Sequence, residues 1–290
     1  YDMVQTLNKE IIDNGVELIL NDGVSKILDD KVVLASGREI NAGTVIMAIG
    51  VYPETSLAKS AGIELGETGG IKVNHNYQTN YPDIYAVGDV VETHNFITGN
   101  KQLLALAGPA QRQARAAADH MYGRTHRNKG VVGSSIIRVF DMNAASTGLN
   151  EKACEREGID YRYSYVIPGD KVGLMPDVNP LFFKLIFAYP SGKILGAQAV
   201  GRGNVDKRVD IIATLIQMNG TLEDLKEMEF CYAPHFSTAK DVTNHAALVG
   251  LNVLYEEFKQ VPVSQVRSLV ENNAFIVDVR EEDEFEESHL

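Results

Sequence analysis

Apolar positions recur along the first part of the chain with two different spacings. Residues 2–14 carry apolar side chains at helical spacing and precede a glycine; these positions are Val4, Leu7, Ile11 and Ile12. Shorter apolar runs follow, each of a length typical of a strand, at residues 16–20, 23–29, 31–35 and 44–48. The pattern predicts one helix followed by four strands.

The next stretch joins a polar connection to a long helix. Residues 54–70 are mostly polar, and short apolar runs at 71–74 and 84–87 predict two strands. An alanine-rich segment at 105–121 predicts a helix, with Pro109 near its start, where a missing N–H does no harm.

From residue 131 strands and helices alternate in a different order. The spacing predicts strands at 135–140, 161–167, 181–187 and 194–200, and helices at 150–157, 205–219 and 222–227. A charged bridge covers residues 251–261. The pattern then changes again and predicts a helix at 264–271 and a buried strand at 275–279.

Composition narrows the class of protein. The chain has 290 residues, of which 44% are hydrophobic, enough for a sizeable core and about two domains. The net charge of −12 argues against a nucleic-acid partner, and no apolar run approaches the roughly 18 residues that span a bilayer. The first residues have no signal-peptide pattern and no initiator Met, so we expect the chain to begin inside a longer protein.

Cysteine usage indicates a reducing compartment. The two cysteines, Cys154 and Cys231, lie far apart and form neither a disulfide framework nor a CxxC motif, which predicts a cytoplasmic protein. Cys154 lies within a predicted helix among charged residues, as a packing cysteine does. No His, Cys or Asp cluster has the spacing of a zinc site, so we predict no metal.

Residues 79–89, TNYPDIYAVGD, are the most informative stretch. An apolar run leads into Gly88, where the backbone can approach a ligand closely, and Asp89, whose carboxylate follows the end of a predicted strand. The stretch resembles the second flavin-binding motif of the FAD-dependent pyridine-nucleotide disulfide oxidoreductases. That resemblance implies that Asp89 binds the ribityl hydroxyl of FAD. The alternative is a plain Gly-Asp turn.

The helix that follows strengthens the resemblance. Its first turn contains the small residues Ala107, Gly108 and Pro109, which would let a flat ring approach the free N–H groups and the positive end of the helix dipole. In the family this end faces the pyrimidine edge of the flavin. The alternative is a buried alanine-rich packing helix. Upstream, Ala48-Ile49-Gly50 matches the end of the family's nicotinamide domain, so Gly50 is a further candidate near the cofactor.

A second motif lies near the end of the third segment. Residues 231–237, CYAPHFS, followed by Ala239-Lys240-Asp241, resemble a sequence of the CoA-disulfide reductase, NADH oxidase and NADH peroxidase branch. The resemblance implies that Tyr232 reaches the partner subunit's redox cysteine, where a phenol can exchange a proton with a thiolate. His235 and Phe236 would then lie beside the substrate. A turn with a packed tyrosine ring is the alternative reading.

Two features depart from the family. Leu174-Met175-Pro176 stands where the coenzyme A branch often has Tyr-Tyr-Pro. Gly201-Arg202-Gly203 follows a predicted strand like a dinucleotide loop, but Asp206 replaces the third glycine. We interpret this loop as a structural turn.

The last residues resemble the opening of a rhodanese domain. Asp278-Val279-Arg280 resembles its first motif, and Ser288-His289-Leu290 stands where Gly-His-Ile is usual. The catalytic cysteine loop of that domain is absent from the chain.

The resemblance as a whole implies an α/β and α+β fold in several parts. Residues 1–50 would end a Rossmann-like NAD(P)-binding domain, 51–130 would form the second half of an FAD domain, and 131–250 an α+β dimerisation domain. Residues 251–261 would be a linker and 262–290 the start of a rhodanese domain.

The implied function is FAD-dependent reduction of coenzyme A disulfide or a persulfide by NADH or NADPH, through a single cysteine upstream of this chain. The implied assembly is a homodimer, and the chain alone should be inactive. An NADH oxidase or peroxidase is the alternative enzyme, and a non-catalytic dimerisation or interaction module is the alternative outside enzymes.

Overall fold

The computed structural model describes residues 2–289. Leu290, the last residue of the predicted rhodanese motif, lies outside the described residues, as does Tyr1. Within the described part, no helix combines the length and the apolar character needed to cross a membrane.

The first part contains a helix and a small antiparallel sheet. Helix α1 (Asp2–Asp13) confirms the predicted helix, and β1 (Val24–Ile27), β2 (Lys31–Leu34) and β3 (Glu39–Asn41) form a sheet in the order β1-β2-β3. The strands predicted at 16–20 and 44–48 were wrong, since neither joins a β-ladder. A strand needs a hydrogen-bonding neighbour, and the described residues place none beside these segments.

The second part is built around one long helix. Helix α2 (Ser56–Ser60) is followed by the two-stranded sheet β4 (Thr93–His94) and β5 (Lys101–Gln102), and then by α3 (Ala107–Met121). The predicted strands at 71–74 and 84–87 are reduced to isolated bridges, Ile71 to Val91 and Gln78 to Tyr85. Here too the apolar runs lack a neighbouring strand along their length.

The third part is a five-stranded antiparallel sheet covered by helices. Its strands are β6 (Ser135–Val139), β7 (Met142–Gly148), β8 (Tyr161–Val166), β9 (Leu181–Ala188) and β10 (Ile194–Gly201), in the order β6-β7-β10-β9-β8. Its helices are α4 (Glu151–Arg156), α5 (Val205–Gln217), α6 (Leu222–Glu227) and α7 (Val242–Leu254). The mixed α/β and α+β composition is confirmed, although the sequence patterns did not predict β7 and α7.

The main core lies between this sheet and helices α5, α6 and α7. Phe183, Leu185 and Phe187 of β9 point into it and are fully buried. The other face of the sheet meets α1 through Met3, which packs with Met142 and Val200. Since α1 belongs to the first part of the chain, this contact joins the first and third parts.

The last part contains α8 (Val263–Glu271) and α9 (Glu282–Glu287). The helix predicted at 264–271 is confirmed. The buried strand predicted at 275–279 was wrong, because Phe275 and Val279 are 94% and 91% exposed and no strand forms there. No described strand pairs with residues 275–279, so no neighbouring strand covers their side chains.

Candidate functional site

The Gly88–Asp89 turn is fixed against helix α3. Gly88 has a φ of +85° and begins a short 3-10 turn that ends at Val90. Its N–H donates to Oε1 of Gln113 at 2.6 Å, and Gln113 is buried in the middle of α3. The Asp89 carboxylate, one residue on, faces outward. Gln113 therefore sets the position of the turn, although no sequence motif pointed to it.

The start of α3 is open. Leu106, at the N-cap position, supplies no side-chain hydrogen bond, so the first N–H groups of the helix keep their donor capacity. Ala107 and Gly108 are exposed, and a Cβ placed on Gly108 would meet nothing within 4 Å. Pro109 has no backbone N–H, so it adds no donor to this turn. The exposed Asp89 carboxylate and these donors together fit a polyhydroxyl chain joined to a flat ring with acceptor atoms at its edge, as FAD has.

Gly50 forms no hydrogen bond, among the described residues, with the Gly88–Asp89 turn or with helix α3. Its φ is +109°, and a Cβ there would meet nothing within 4 Å. Among the hydrogen bonds of residues 2–289, none joins Gly50 to Gly88 or to α3. The structure thus brings Gly88 and Asp89 to α3, while it leaves Gly50 unconnected to them.

The second candidate site is the turn that follows Tyr232. The N–H groups of Phe236 and Ser237 both donate to the carbonyl of Ala233, at 2.9 and 3.3 Å. This turn leaves Tyr232 49% exposed and Phe236 65% exposed, and His235 is also exposed. About half of the Tyr232 surface is thus open to solvent. An exposed phenol on a hydrogen-bonded turn is able to reach a molecule outside this chain.

A buried ion pair holds the turn from below. Ser237 Oγ donates to Asp241 Oδ2 at 2.8 Å, and Arg208 of α5 lies 3.0 Å from the same carboxylate oxygen. The Arg208 and Asp241 side chains are 0% and 1% exposed. Burial is the largest influence on the pKa of Asp241 and would raise it, but Arg208 and hydrogen bonds from Thr243 and Ser237 outweigh burial and lower the pKa below 3.8. Asp241 is thus ionised at neutral pH.

The same carboxylate begins helix α7. Asp241 is its N-cap, and Oδ1 accepts from the N–H and the hydroxyl of Thr243 at 3.1 and 3.0 Å. The sequence motif included Lys240 and Asp241, but it did not point to Arg208, which lies on helix α5. The Asp-x-Thr N-cap pattern at the start of α7 was the one local signal available.

The loop 170–179 lies beside the Tyr232 turn. The Lys171 ammonium donates to Asp177 at 2.6 Å and lowers the pKa of that carboxyl, and His235 is near enough to lower it further. Leu174 of this loop is 88% exposed. Arg208 donates both to the Asp170 carbonyl of this loop and to Ser237 of the turn, so the two segments lie side by side.

The two cysteines differ in their exposure to solvent. Cys154 is fully buried in α4, and burial together with Glu151 and Glu155 raises the pKa of its thiol to about 11. Cys231 is exposed and adjoins Tyr232. No group of three or more metal-ligating side chains occurs among residues 2–289.

Comparison with known proteins places the chain in a class. The family profile described as pyridine nucleotide-disulphide oxidoreductase matches residues 1–114, and the profile of the dimerisation domain of the same enzymes matches residues 134–243. The chain belongs to the pyridine nucleotide-disulphide oxidoreductase family.

Within the family, the similar proteins include a coenzyme A disulfide reductase and a persulfide reductase. A coenzyme A disulfide reductase of Staphylococcus epidermidis is 34% identical over 244 residues, which cover 84% of this chain and 55% of that protein. The reduced form of a Bacillus anthracis protein designated CoADR-RHD is 41% identical with a TM-score of 0.96, covering 100% of this chain and 53% of that one. An NAD-dependent persulfide reductase from A. fulgidus is 33% identical with a TM-score of 0.88, covering 91% and 50% of the two chains. The chain spans about half the length of these relatives.

Proposed function

We propose that this chain is part of an FAD-dependent oxidoreductase that uses NADH or NADPH to reduce coenzyme A disulfide or a persulfide. The observation that carries the proposal is the presence, in one chain, of an open turn at Gly88–Asp89 fixed against helix α3 and an exposed tyrosine turn in the dimerisation domain. The similarity to coenzyme A disulfide reductases and to a persulfide reductase supports the choice of substrate class.

Asp89 and the start of α3 would hold the cofactor. The Asp89 carboxylate would accept a hydrogen bond from a ribityl hydroxyl, while the free N–H groups near Ala107 and Gly108 would donate to the ring edge. The bound FAD would supply the electrons for cleavage of the sulfur–sulfur bond. The positive end of the helix would stabilise negative charge that gathers at that edge. We place Gly50 near the nicotinamide cofactor on the resemblance alone.

Tyr232 would serve the sulfur chemistry of the other subunit. We propose that a homodimer forms through the dimerisation domain with two-fold symmetry, and that the exposed turn of each subunit faces the site of its partner. We propose that reduction of the disulfide by a cysteine upstream of residue 1 releases a thiolate, to which the Tyr232 hydroxyl gives its proton. The overall reaction consumes one NAD(P)H, one proton and one disulfide and yields two thiols and NAD(P)⁺. His235 and Phe236 would line the approach of the substrate.

The remaining assignments rest on the resemblance. We propose that residues 1–50 end the NAD(P)-binding domain, that 51–130 complete the FAD domain, and that 131–250 form the dimerisation domain. Residues 251–261 would link these to a rhodanese domain that begins at 262. A cytoplasmic location stays a prediction from cysteine usage.

The test uses the full-length enzyme and the Tyr232→Phe variant in separate half-reactions. Flavin reduction by NAD(P)H should be unchanged, because the tyrosine is proposed to act on the sulfur side. Turnover of coenzyme A disulfide or a persulfide should fall at least about ten-fold, since a positioned acid contributes roughly 100- to 10,000-fold.

A second tyrosine provides the matched control. Tyr255→Phe removes a hydroxyl that donates to Glu223 at 2.8 Å, away from the Tyr232 turn, and should leave both half-reactions unchanged. Full activity of Tyr232→Phe on both sulfur substrates would remove Tyr232 from the mechanism.

A further inference from the structure

One buried guanidinium is shared by four separate segments of the dimerisation domain. Arg208 donates through Nη1 to the carbonyl of Asn204 at 3.1 Å, and through Nη2 to the carbonyl of Asp170 at 3.2 Å and to Ser237 Oγ at 3.3 Å. It also pairs with Asp241, the N-cap of α7. The side chain therefore joins the start of α5, loop 170–179, the Tyr232 turn and the start of α7.

This arrangement is costly if it serves stability alone. Arg208 is completely buried, and its Nε has no hydrogen-bond partner among the described residues. A buried ion pair loses much of its attraction to desolvation, and apolar side chains of similar volume often stabilise a core as well or better. What apolar side chains cannot do is fix the positions of several loops through directed hydrogen bonds.

The first loop that Arg208 fixes carries the tyrosine. Ser237 ends the turn that folds back onto Ala233, so the hydroxyl that bridges Arg208 and Asp241 holds the end of that turn. Tyr232 directly precedes Ala233. A shift of Ser237 would therefore be passed to the phenol through a short, hydrogen-bonded stretch of backbone.

The second loop is closed on itself beside Arg208. Asp170 and Asn179 exchange hydrogen bonds at both ends, since each N–H donates to an oxygen of the other residue at 2.9 Å. A Cβ on Gly203 would lie 2.2 Å from Asp170 Oδ2, so a glycine is needed for Asp170 to approach. Gly203 thus serves close packing against loop 170–179, which gives a structural reason for the second glycine of a motif that resembles a nucleotide loop.

We propose that Arg208 and Ser237 are positioning residues for the sulfur-reducing half of the reaction. They hold the Tyr232 turn and loop 170–179 in one fixed arrangement, so that the phenol and the loop meet the partner subunit's site together. This inference rests on the proposed function, because it assumes that Tyr232 acts on the substrate.

The test is Ser237→Ala in the full-length, FAD-loaded enzyme. The variant removes the link between Arg208 and the turn but keeps the Arg208–Asp241 pair. We expect reoxidation of the reduced enzyme by coenzyme A disulfide to slow about 10-fold, because misplacement of a reacting group by about 1 Å can cost up to roughly 100-fold. Flavin reduction by NAD(P)H should not change. Arg202→Ala, which alters an exposed arginine of the adjacent loop, is the control and should leave both rates unchanged.

A double variant distinguishes positioning from general damage. If Ser237 acts through the phenol, Ser237→Ala combined with Tyr232→Phe should be no slower than Tyr232→Phe alone, within about two-fold. Multiplied losses in the double variant would overturn the inference. If Ser237→Ala does not fold, Arg208→Lys replaces it, since lysine keeps the positive charge beside Asp241 but loses the planar fork that reaches both loops.

The outcomes separate this inference from the proposed function. A reduced native enzyme that neither coenzyme A disulfide nor a persulfide reoxidises would contradict the proposed function. A fully active Tyr232→Phe enzyme would remove Tyr232, and with it the positioning role, from the mechanism. An impaired Tyr232→Phe enzyme together with a fully active Ser237→Ala or Arg208→Lys enzyme would overturn only the positioning role.

Discussion

Replacement of Arg208 by methionine should destabilise the protein by an amount that depends on pH. Methionine has a similar length and no charge, so Asp241 would stay buried, at 1% exposure, without the cation that now lies 3.0 Å away. Hydrogen bonds from Thr243 and Ser237 would remain. Removal of one partner of a buried ion pair typically costs about 3–5 kcal/mol, and because those hydrogen bonds survive we expect about 3 kcal/mol at pH 7.

The pH dependence follows from the pKa of Asp241. In the native protein this pKa is lowered below 3.8, so the carboxylate stabilises the fold above pH 3.8 and that contribution is lost as the pH falls further. Without Arg208, burial would act unopposed by the cation and would raise the pKa. A raised pKa favours the protonated folded state, so the variant gains relative stability on acidification. The difference between the two proteins should shrink from pH 7 towards pH 4.

Urea unfolding of the native protein, Arg208→Met and the exposed control Arg202→Ala across this pH range measures the difference. Arg202 pairs with Glu10 and Asp141 at 3.8 and 3.6 Å on the surface, so its removal should cost less than about 1 kcal/mol. The buried pair would not have the proposed effect if Arg208→Met lowered the free energy of unfolding by no more than Arg202→Ala does. A loss for Arg208→Met that stays constant from pH 7 to pH 4 would contradict the pH dependence.

Three further predictions concern the cofactor, the loop and the assembly. Asp89→Ala in the full-length protein should yield largely colourless apo-protein, and full flavin absorbance in that variant would contradict the cofactor assignment. Gly203→Ala should lower stability by about 1–3 kcal/mol, because its Cβ would overlap the Asp170 carboxylate. Gly173→Ala, in loop 170–179, should be neutral, because a Cβ there meets nothing within 4 Å. Equal thermal midpoints of the two variants would contradict the close packing of Gly203 against Asp170. Light scattering should give a dimer at micromolar concentration, and a monomer would count against the action of Tyr232 in the partner's site.

Local sequence patterns predicted a helix or strand correctly where the described residues also contain the segments that pair or pack with it. The helix at 2–14 and the strands at 181–187 and 194–200 carry clear apolar periodicity and pair within the described residues, so they form as predicted. The predicted strands at 44–48 and 275–279 carry equally apolar runs but form no ladder. Periodicity indicates which residues could form a strand, whereas the neighbour that completes it is a property of the tertiary structure.

Strand β7 shows the reverse case. Its sequence, MNAASTG, has small and polar residues and no apolar alternation, yet it pairs with both β6 and β10. A central position with hydrogen-bonding partners on both sides overrides weak intrinsic preference.

The candidate site divides in the same way. Gly88 and Asp89 were singled out from a contiguous motif, because the chemistry and the backbone requirement lie in neighbouring residues, and their role in cofactor binding stays a prediction. Arg208 could not be predicted from a local motif. Its partners Asp170, Ser237 and Asp241 come from other loops and contact it only in the folded chain.

An anaerobic stopped-flow experiment on the full-length enzyme tests the proposed reduction of a disulfide or persulfide most directly. The flavin is first reduced with NADH or NADPH without oxygen and is then mixed with coenzyme A disulfide, a persulfide, peroxide or oxygenated buffer, while flavin absorbance is followed. If the proposed function is correct, we expect rapid reoxidation by a sulfur substrate, with release of thiol or sulfide. Rapid reoxidation by oxygen or peroxide and none by either sulfur substrate would contradict it and would assign the protein to the oxidases or peroxidases of its family.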